Sequence, residues 1–144
     1  MNRKDFIKGS CGICIALGSG FLLSAVLDSC KTPLGVVKTV AENNIVKIPL
    51  SEFQTEHFKI VRVGNYNYDL AVEKLADGTF KVIVLMCTHA HHPLTKTGEN
   101  YYCTLHGSRF DHEGNVLKGP AEKKLLHLTS AVGKENVLIK LPNT

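Results

Sequence analysis

The sequence of 144 residues contains no tryptophan, two methionines and only 7% aromatic residues. It also lacks a strong excess of charge, because 17 Lys and Arg oppose 13 Asp and Glu for a formal net charge of +4. So small an excess, with no basic run along the chain, argues against nucleic acid as a partner. The length suits one domain, or one domain plus a targeting segment, and leaves no room for a large catalytic domain beside a second module.

Cysteine is scarce in the body of the chain. Cys11, Cys14 and Cys30 lie near the N-terminus, and only Cys87 and Cys103 lie further on. An odd total with this distribution does not fit a disulfide framework. The two later cysteines could either form one disulfide or bind a metal, and this choice decides the function.

The first 29 residues form a segment of their own, which predicts an export signal or a membrane anchor. The basic start Arg3–Lys8 resembles a twin-arginine export signal, and the uncharged, largely apolar stretch Gly9–Leu27 follows it. The run Leu27–Cys30 resembles the cleavage box of bacterial lipoproteins, which implies that Cys30 is lipidated. The alternative is an uncleaved anchoring helix. Either way we expect an exported domain tethered to a membrane in the bacterial cell envelope, on the periplasmic side.

Residues 30–44 are predicted to be a tether, and residues 45–144 a single all-β domain. Thr79–Met86 is the most apolar segment and is expected to be a central strand. Short strands separated by turn residues at close spacing indicate a small antiparallel sandwich or barrel. The predicted strands are Ile45–Leu50, His57–Val63, Tyr68–Leu75, Thr79–Met86, Tyr101–Tyr102, Ser108–Asp111, Leu125–Thr129 and Asn136–Leu141.

Two short motifs pair a thiol with an imidazole. Cys87 and His89 form a C-x-H motif, and Cys103 and His106 form a C-x-x-H motif. Thiolate and imidazole are ligands for soft-to-borderline metals, so two such loops would make a four-ligand site. Zinc fits this ligand set, although zinc fingers pair Cys with Cys and His with His. A zinc-braced binding module therefore stays open as an alternative.

The mixed pairs and their flanks resemble the Rieske iron–sulfur family. The resemblance rests on both motifs, on the run Cys103–Asp111 and on Gly119–Ala121. It implies a Rieske-type sandwich or barrel with two loops that bind one [2Fe-2S] cluster, in which two Cys hold one iron and two His the other. For this sequence the resemblance implies that Cys87 and Cys103 hold the buried iron, whereas His89 and His106 hold the outer, redox-active iron.

Several positions bear on the reduction potential and the loop geometry. The resemblance implies that Ser108 donates a hydrogen bond to a cluster sulfide, while Phe110 replaces a tyrosine that donates to a ligand sulfur. Gly107 is expected to bring backbone amides near the cluster, and Pro120 lies in the family's proline-containing loop. The potential is therefore expected to be intermediate within the range of about −150 to +300 mV.

The sequence also lacks a disulfide that connects the two loops in some members of the family. The family's quinol-oxidising members carry a disulfide at positions that correspond to His92 and Leu105 here. The two loops must therefore be held by packing and hydrogen bonds. The segment His91–Tyr101 is expected to be a compact loop.

These features predict a one-electron carrier at a membrane surface. Its partners would be redox proteins, such as a cytochrome or an oxidoreductase subunit. A Rieske subunit of a larger oxidoreductase or oxygenase system is the second hypothesis. Too few residues follow Asp111 for the mononuclear iron domain of an oxygenase, so this chain alone is not expected to oxygenate a substrate.

Overall fold

The computed structural model describes residues 35–142, which consist almost entirely of short β-strands. A four-residue 3-10 helix, Leu50–Phe53, is the exception in this part of the chain. The all-β class expected from the sequence is confirmed. The strands are β1 (Val36–Thr39), β2 (Ile45–Pro49), β3 (Phe58–Val63), β4 (Leu70–Lys74), β5 (Phe80–Val84), β6 (Thr95–Thr97), β7 (Asn100–Tyr102), β8 (Arg109–Phe110), β9 (Val116–Lys118), β10 (Ser130–Val132) and β11 (Asn136–Lys140).

The strands form three sheets. The first has the order β1-β3-β4-β5, the second β10-β11-β2, and the third β6-β7-β8-β9. Neighbouring strands in residues 35–142 run antiparallel, except that β1 runs parallel to β3. The third sheet is a chain of hairpins, and the motif-bearing loops lie beside its strands.

Part of the segment 30–44, which was expected to be a tether, forms the strand β1. Val36–Thr39 pairs with Ile60–Val63 at the edge of the first sheet. Two adjacent β-branched residues favour a strand here, and Val37 packs against the core beneath the sheet. The turn-forming residues on either side led the sequence interpretation to miss this short strand.

Two further segments differ from their predicted form. Leu125–Thr129, expected to be a strand, makes one isolated bridge between His127 and Ile83, with flanking backbone hydrogen bonds to β5. The segment His91–Tyr101, expected to be a loop, contains β6, which forms a hairpin with β7 through a turn at Gly98. Such short pairings depend on the neighbouring sheet, so the local residue pattern does not reveal them.

Two apolar clusters stabilise the described residues. The larger one joins the first and second sheets and includes Val46, Phe53 and Ile139. The smaller one includes Leu94, Phe110 and Leu125 together with the thiols of Cys87 and Cys103. The side chains behind the motif-bearing loops are therefore packed in a core of their own.

The predicted export segment of residues 1–29 and the candidate lipidation site Cys30 lie outside the described residues. Between residues 35 and 142, no helix is long and apolar enough to cross a membrane.

Candidate metal centre

Two loops with the same backbone pattern carry the predicted ligands. The first loop (Cys87–His92) follows β5, and the second loop (Cys103–Ser108) follows β7. In each loop the cysteine N–H donates to the carbonyl five residues later, at N···O distances of 2.8 Å and 2.9 Å. The N–H of the fifth residue donates back to the cysteine carbonyl, at 2.8 Å and 3.0 Å. Backbone hydrogen bonds within each loop thus hold its two ends together without a metal.

The fifth residue of each loop adopts a left-handed backbone conformation. Gly107 has a φ of 81°, and His91 in the equivalent position has a φ of 51°. A Cβ at Gly107 would meet no neighbouring atom within 4 Å, so the backbone angle, and not a lack of space, favours glycine here. The same angle at His91 is unfavourable for a residue with a side chain.

The two thiols lie inside the protein. Cys87 and Cys103 are both fully buried and unpaired by any disulfide. Burial raises the pKa of the Cys87 thiol, but hydrogen bonds from the backbone amides of His89 and Ala90 and from the Cys103 and Ser108 side chains outweigh it, so the pKa lies below its usual value. These donors favour the thiolate, which is the form that binds a metal.

The two imidazoles lie on the outside. His89 and His106 are both exposed, and their rings meet edge to face with centroids 4.9 Å apart. Their Nδ1 atoms are 3.1 Å apart. Two nitrogens at this distance can both reach one metal ion at the typical bond length of about 2.1 Å.

The four candidate ligands therefore separate into a buried sulfur pair and an exposed nitrogen pair. No three Cys, His, Asp or Glu side chains of residues 35–142 converge on a point where they could hold a single metal ion. A two-iron cluster takes one pair of ligands at each iron. The buried thiol pair and the exposed imidazole pair fit this arrangement.

Two threonines connect the loops to their surroundings. Thr88 and Thr104 each follow a motif cysteine directly. The Thr88 hydroxyl donates to the carbonyl of Lys123 at 2.6 Å, and the Thr104 hydroxyl lies 3.3 Å from Nε2 of His92. The second contact links the two loops through their side chains. Sequence reasoning missed both threonines, although their identical position after each cysteine was a signal.

Ser108 connects the second loop to the proline-containing loop. Its fully buried side chain hydrogen-bonds the Cys87 thiol, and its Oγ accepts the N–H of Ala121 at 3.0 Å. Pro120, which precedes Ala121, is exposed and follows a cis peptide bond. Phe110 is fully buried in the smaller apolar cluster. The structure thus places the Ser108 hydroxyl beside the Cys87 thiol, and its expected hydrogen bond to a cluster sulfide stays a prediction.

Comparison with protein families gives one extended match. A model of the Rieske [2Fe-2S] domain matches residues 43–136. The match includes both loops and the proline-containing loop. No curated protein sequence matches the chain.

Solved structures share the fold. The cyanobacterial plasma membrane Rieske protein PetC3 from Synechocystis PCC 6803 aligns with a TM-score of 0.52 and 22% identity, over 66% of this chain and 98% of that chain. Naphthalene 1,2-dioxygenase with bound indole aligns with a TM-score of 0.52 and 14% identity, over 72% of this chain and 27% of that chain. The quaternary ammonium Rieske monooxygenase CntA gives a TM-score of 0.52 and 14% identity, over 72% of this chain and 34% of that chain.

Proposed function

The chain belongs to the Rieske [2Fe-2S] domain family, and on this premise we propose that it transfers single electrons at a membrane surface through a cluster held by Cys87, Cys103, His89 and His106. A Rieske domain binds one [2Fe-2S] cluster and serves electron transfer. The ligand assignment, the membrane location and the partners are the parts that we propose for this chain.

The observation that carries the ligand assignment is the approach of the two imidazoles. Exposed Nδ1 atoms 3.1 Å apart would repel each other as two acceptors, or share one proton, unless a common cation lay between them. A metal ion bound by both nitrogens would account for the pair. The buried thiols on the neighbouring side would bind the second iron as thiolates.

The protein contributes the surroundings of the cluster. Hydrogen bonds from the amides of His89 and Ala90 and from Ser108 would stabilise negative charge on the Cys87 sulfur. The apolar cluster behind the thiols excludes water from the sulfur side. The exposed imidazoles provide the route by which an electron would leave, since a short distance to a partner requires ligands at the surface.

We also propose that the partner is another redox protein, such as a cytochrome or an oxidoreductase subunit. The exposure of His89 and His106 supports contact with a protein surface. The N-terminal segment supports a tether to the membrane, either through a lipid on Cys30 or through an uncleaved helix. A role as the Rieske subunit of a larger oxidoreductase would use the same exposed surface.

The ligand assignment can be tested by cluster content and by spectroscopy. We expect about two iron atoms and two labile sulfides per chain, and a magnetic-resonance signal of a His-ligated cluster after reduction. His89→Ala and His106→Ala should lose this signal. His112→Ala, a matched change at an exposed histidine outside both loops, should retain it. A protein purified anaerobically without labile sulfide, or ligand variants with an unchanged signal, would refute the assignment.

A further inference from the structure

The fold brings segments that carry basic residues beside the two candidate ligand loops. We define the cluster face as the surface of residues 88–92, 104–107 and 119–124, together with the adjoining strand residues Arg109 and Lys118. The Thr88 hydroxyl bond to the Lys123 carbonyl holds the first of these segments against the third. Arg109 and Lys118 are paired in register directly beyond the second loop. The segments therefore form one continuous surface although they are separate in the sequence.

The cluster face is positively charged. It carries four exposed cationic side chains and one exposed carboxylate, that of Glu122. None of the four forms an ion pair with another side chain of residues 35–142, so their charges are not neutralised locally. The cations are Arg109, Lys118, Lys123 and Lys124.

Carboxylates collect at the other end of the same sheet. Glu99 lies in the turn between β6 and β7, and Asp111 and Glu113 lie in the turn between β8 and β9. The pKa of Tyr101 is raised mainly by burial and further by the negative charges of these three residues and of Glu73. All four carboxylates therefore lie near its ring. Lys81 neutralises part of this charge through ion pairs with Glu73 and Glu113. The residues around the third sheet thus have a basic and an acidic end.

The cluster face also carries an exposed apolar residue. Leu105 lies between the ligand candidates Cys103 and His106, and 52% of its surface is exposed. An exposed apolar residue surrounded by charged groups is typical of the core and rim of a protein–protein interface.

We propose that the cluster face docks a redox protein whose matching surface is acidic. This inference rests on the proposed function and adds the chemistry of the partner. The basic rim would attract and orient the acidic surface, while Leu105 would exclude water beside the imidazoles. One electron passes between the cluster and the partner, so that one is oxidised as the other is reduced, and no bond forms or breaks.

Small oxidants of opposite charge test the electrostatic part of this proposal. The reduced full-length protein in neutral detergent is mixed with anionic hexacyanoferrate(III) or with cationic tris(phenanthroline)cobalt(III), and oxidation is followed in the visible spectrum. The double variant Lys123→Gln/Lys124→Gln should slow the reaction with hexacyanoferrate about 3- to 10-fold at low salt and accelerate the reaction with the cobalt complex. High salt should abolish both differences.

A second double variant provides the control. Lys134→Gln/Lys140→Gln removes the same charge from exposed positions in and beside β11, away from the cluster face. It should change neither rate by more than about 2-fold. Equal effects of the two double variants, or rates insensitive to Lys123 and Lys124, would overturn the proposal.

Protection of lysines from amine-reactive labelling shows whether the cluster face binds an acidic protein or a lipid surface. Polyglutamate, used as an acidic polypeptide, should protect Lys123 and Lys124 and leave Lys134 labelled. Protection by phosphatidylserine vesicles without protection by polyglutamate would assign the face to a lipid surface and overturn the proposal. So would self-association, measured by sedimentation, that the Lys123→Gln/Lys124→Gln change abolishes.

The cluster spectrum separates this inference from the proposed function. A wild-type protein without the cluster's visible spectrum would refute the function and the docking inference together. A normal spectrum with charge-independent rates would refute the docking inference alone.

Discussion

Individual side chains at the candidate metal centre differ in their exposure to solvent. The thiols of Cys87 and Cys103 are sealed in an apolar cluster, whereas His89 and His106 face solvent. Burial protects the sulfurs from oxidation, and exposure brings the imidazoles close to other molecules. As ligands, the same four residues would combine a protected anchor for the cluster with an accessible contact for a partner.

Ser108 is the residue whose removal should change the potential most selectively. Ser108→Ala removes the hydroxyl that bonds the Cys87 sulfur, so less negative charge is stabilised in the reduced state. We expect the reduction potential to fall by about 40 mV, the one-electron equivalent of a hydrogen bond worth about 1 kcal/mol. Protein-film voltammetry or a redox titration would measure the fall.

Ser130 provides a matched control for this prediction. Its hydroxyl donates to the carbonyl of Phe80 at 2.9 Å, outside the cluster loops. Ser130→Ala should leave the potential within about 10 mV of the wild type, because no sulfur loses a donor. A Ser108→Ala potential equal to that of the wild type would contradict a bond to a ligand sulfur.

At this scale the sequence was most informative for the ligand candidates. The spacing of the two motifs singled out four residues that the fold then brings into two adjacent loops. It did not reveal Thr88, Thr104 or the pairing of His92, because a hydroxyl contact across two loops depends on which loops become neighbours. The repeated Cys-Thr pair was a sign of equivalent positions, but the partners of these hydroxyls follow from the tertiary fold.

Among the elements, the turn between β8 and β9 has a single organising side chain. The carboxylate of Asp111 accepts hydrogen bonds from the N–H of Glu113, the N–H of Asn115 and the Asn115 side-chain amide. Burial raises the pKa of Asp111, but these bonds outweigh it, so that the pKa lies below its usual value. The ionised carboxylate therefore stabilises this hairpin.

The Asp111→Ala variant should show a pH-dependent loss of stability. We expect the free energy of unfolding to fall by about 1–2 kcal/mol at pH 7, because three hydrogen bonds to a turn are lost. Since the folded pKa is depressed, the wild-type advantage is present above about pH 4 and disappears as the pH falls through the folded pKa. Urea denaturation across this pH range would measure it.

Glu122→Ala is the corresponding control, since Glu122 is an exposed carboxylate outside the turn. Its effect should stay below about 0.5 kcal/mol at every pH. An Asp111→Ala deficit that persists unchanged at pH 3 would show that the charge of Asp111 does not stabilise the turn.

The sequence predicted a strand well where its residues form a clear apolar pattern, and poorly where most of its side chains are exposed. β5 combines an apolar run with β-branched residues, and the sequence located it to within a few residues. β6 and β9 have only three residues each, with mostly exposed side chains, and were missed. Their strand conformation depends on pairing with β7 and β8, which a local pattern cannot express.

For the whole molecule, the attachment to a membrane is the main prediction that depends on the N-terminal segment. If Cys30 is lipidated after cleavage, the mature chain should begin at Cys30 and carry acyl chains, and mass spectrometry would detect both. Cys30→Ala should then move the protein from the membrane fraction to the soluble fraction or block its processing.

Cys14→Ala is the matched control, because Cys14 lies within the apolar stretch before the cleavage box. This variant should be processed and fractionate like the wild type. A mature protein that retains Met1 would contradict cleavage before Cys30 and favour an uncleaved helix.

The charge distribution also belongs to the whole molecule. A formal net charge of +4 without a basic run gave no sign of a charged surface. Folding places Arg109 and Lys118 opposite each other and brings Lys123 beside Thr88. The basic face is thus a product of topology, and composition alone could not have predicted it.

The matching closure of the two loops has a consequence for protein engineering. Each loop is a six-residue unit, closed by its own backbone hydrogen bonds, that presents a cysteine and a histidine from the end of a strand. The two units differ by one position in where the histidine stands, which is the third residue in the first loop and the fourth in the second. A designer could therefore graft the two units as a pair between adjacent strand ends of another β-scaffold, and glycine at the fifth position would avoid the backbone strain seen at His91.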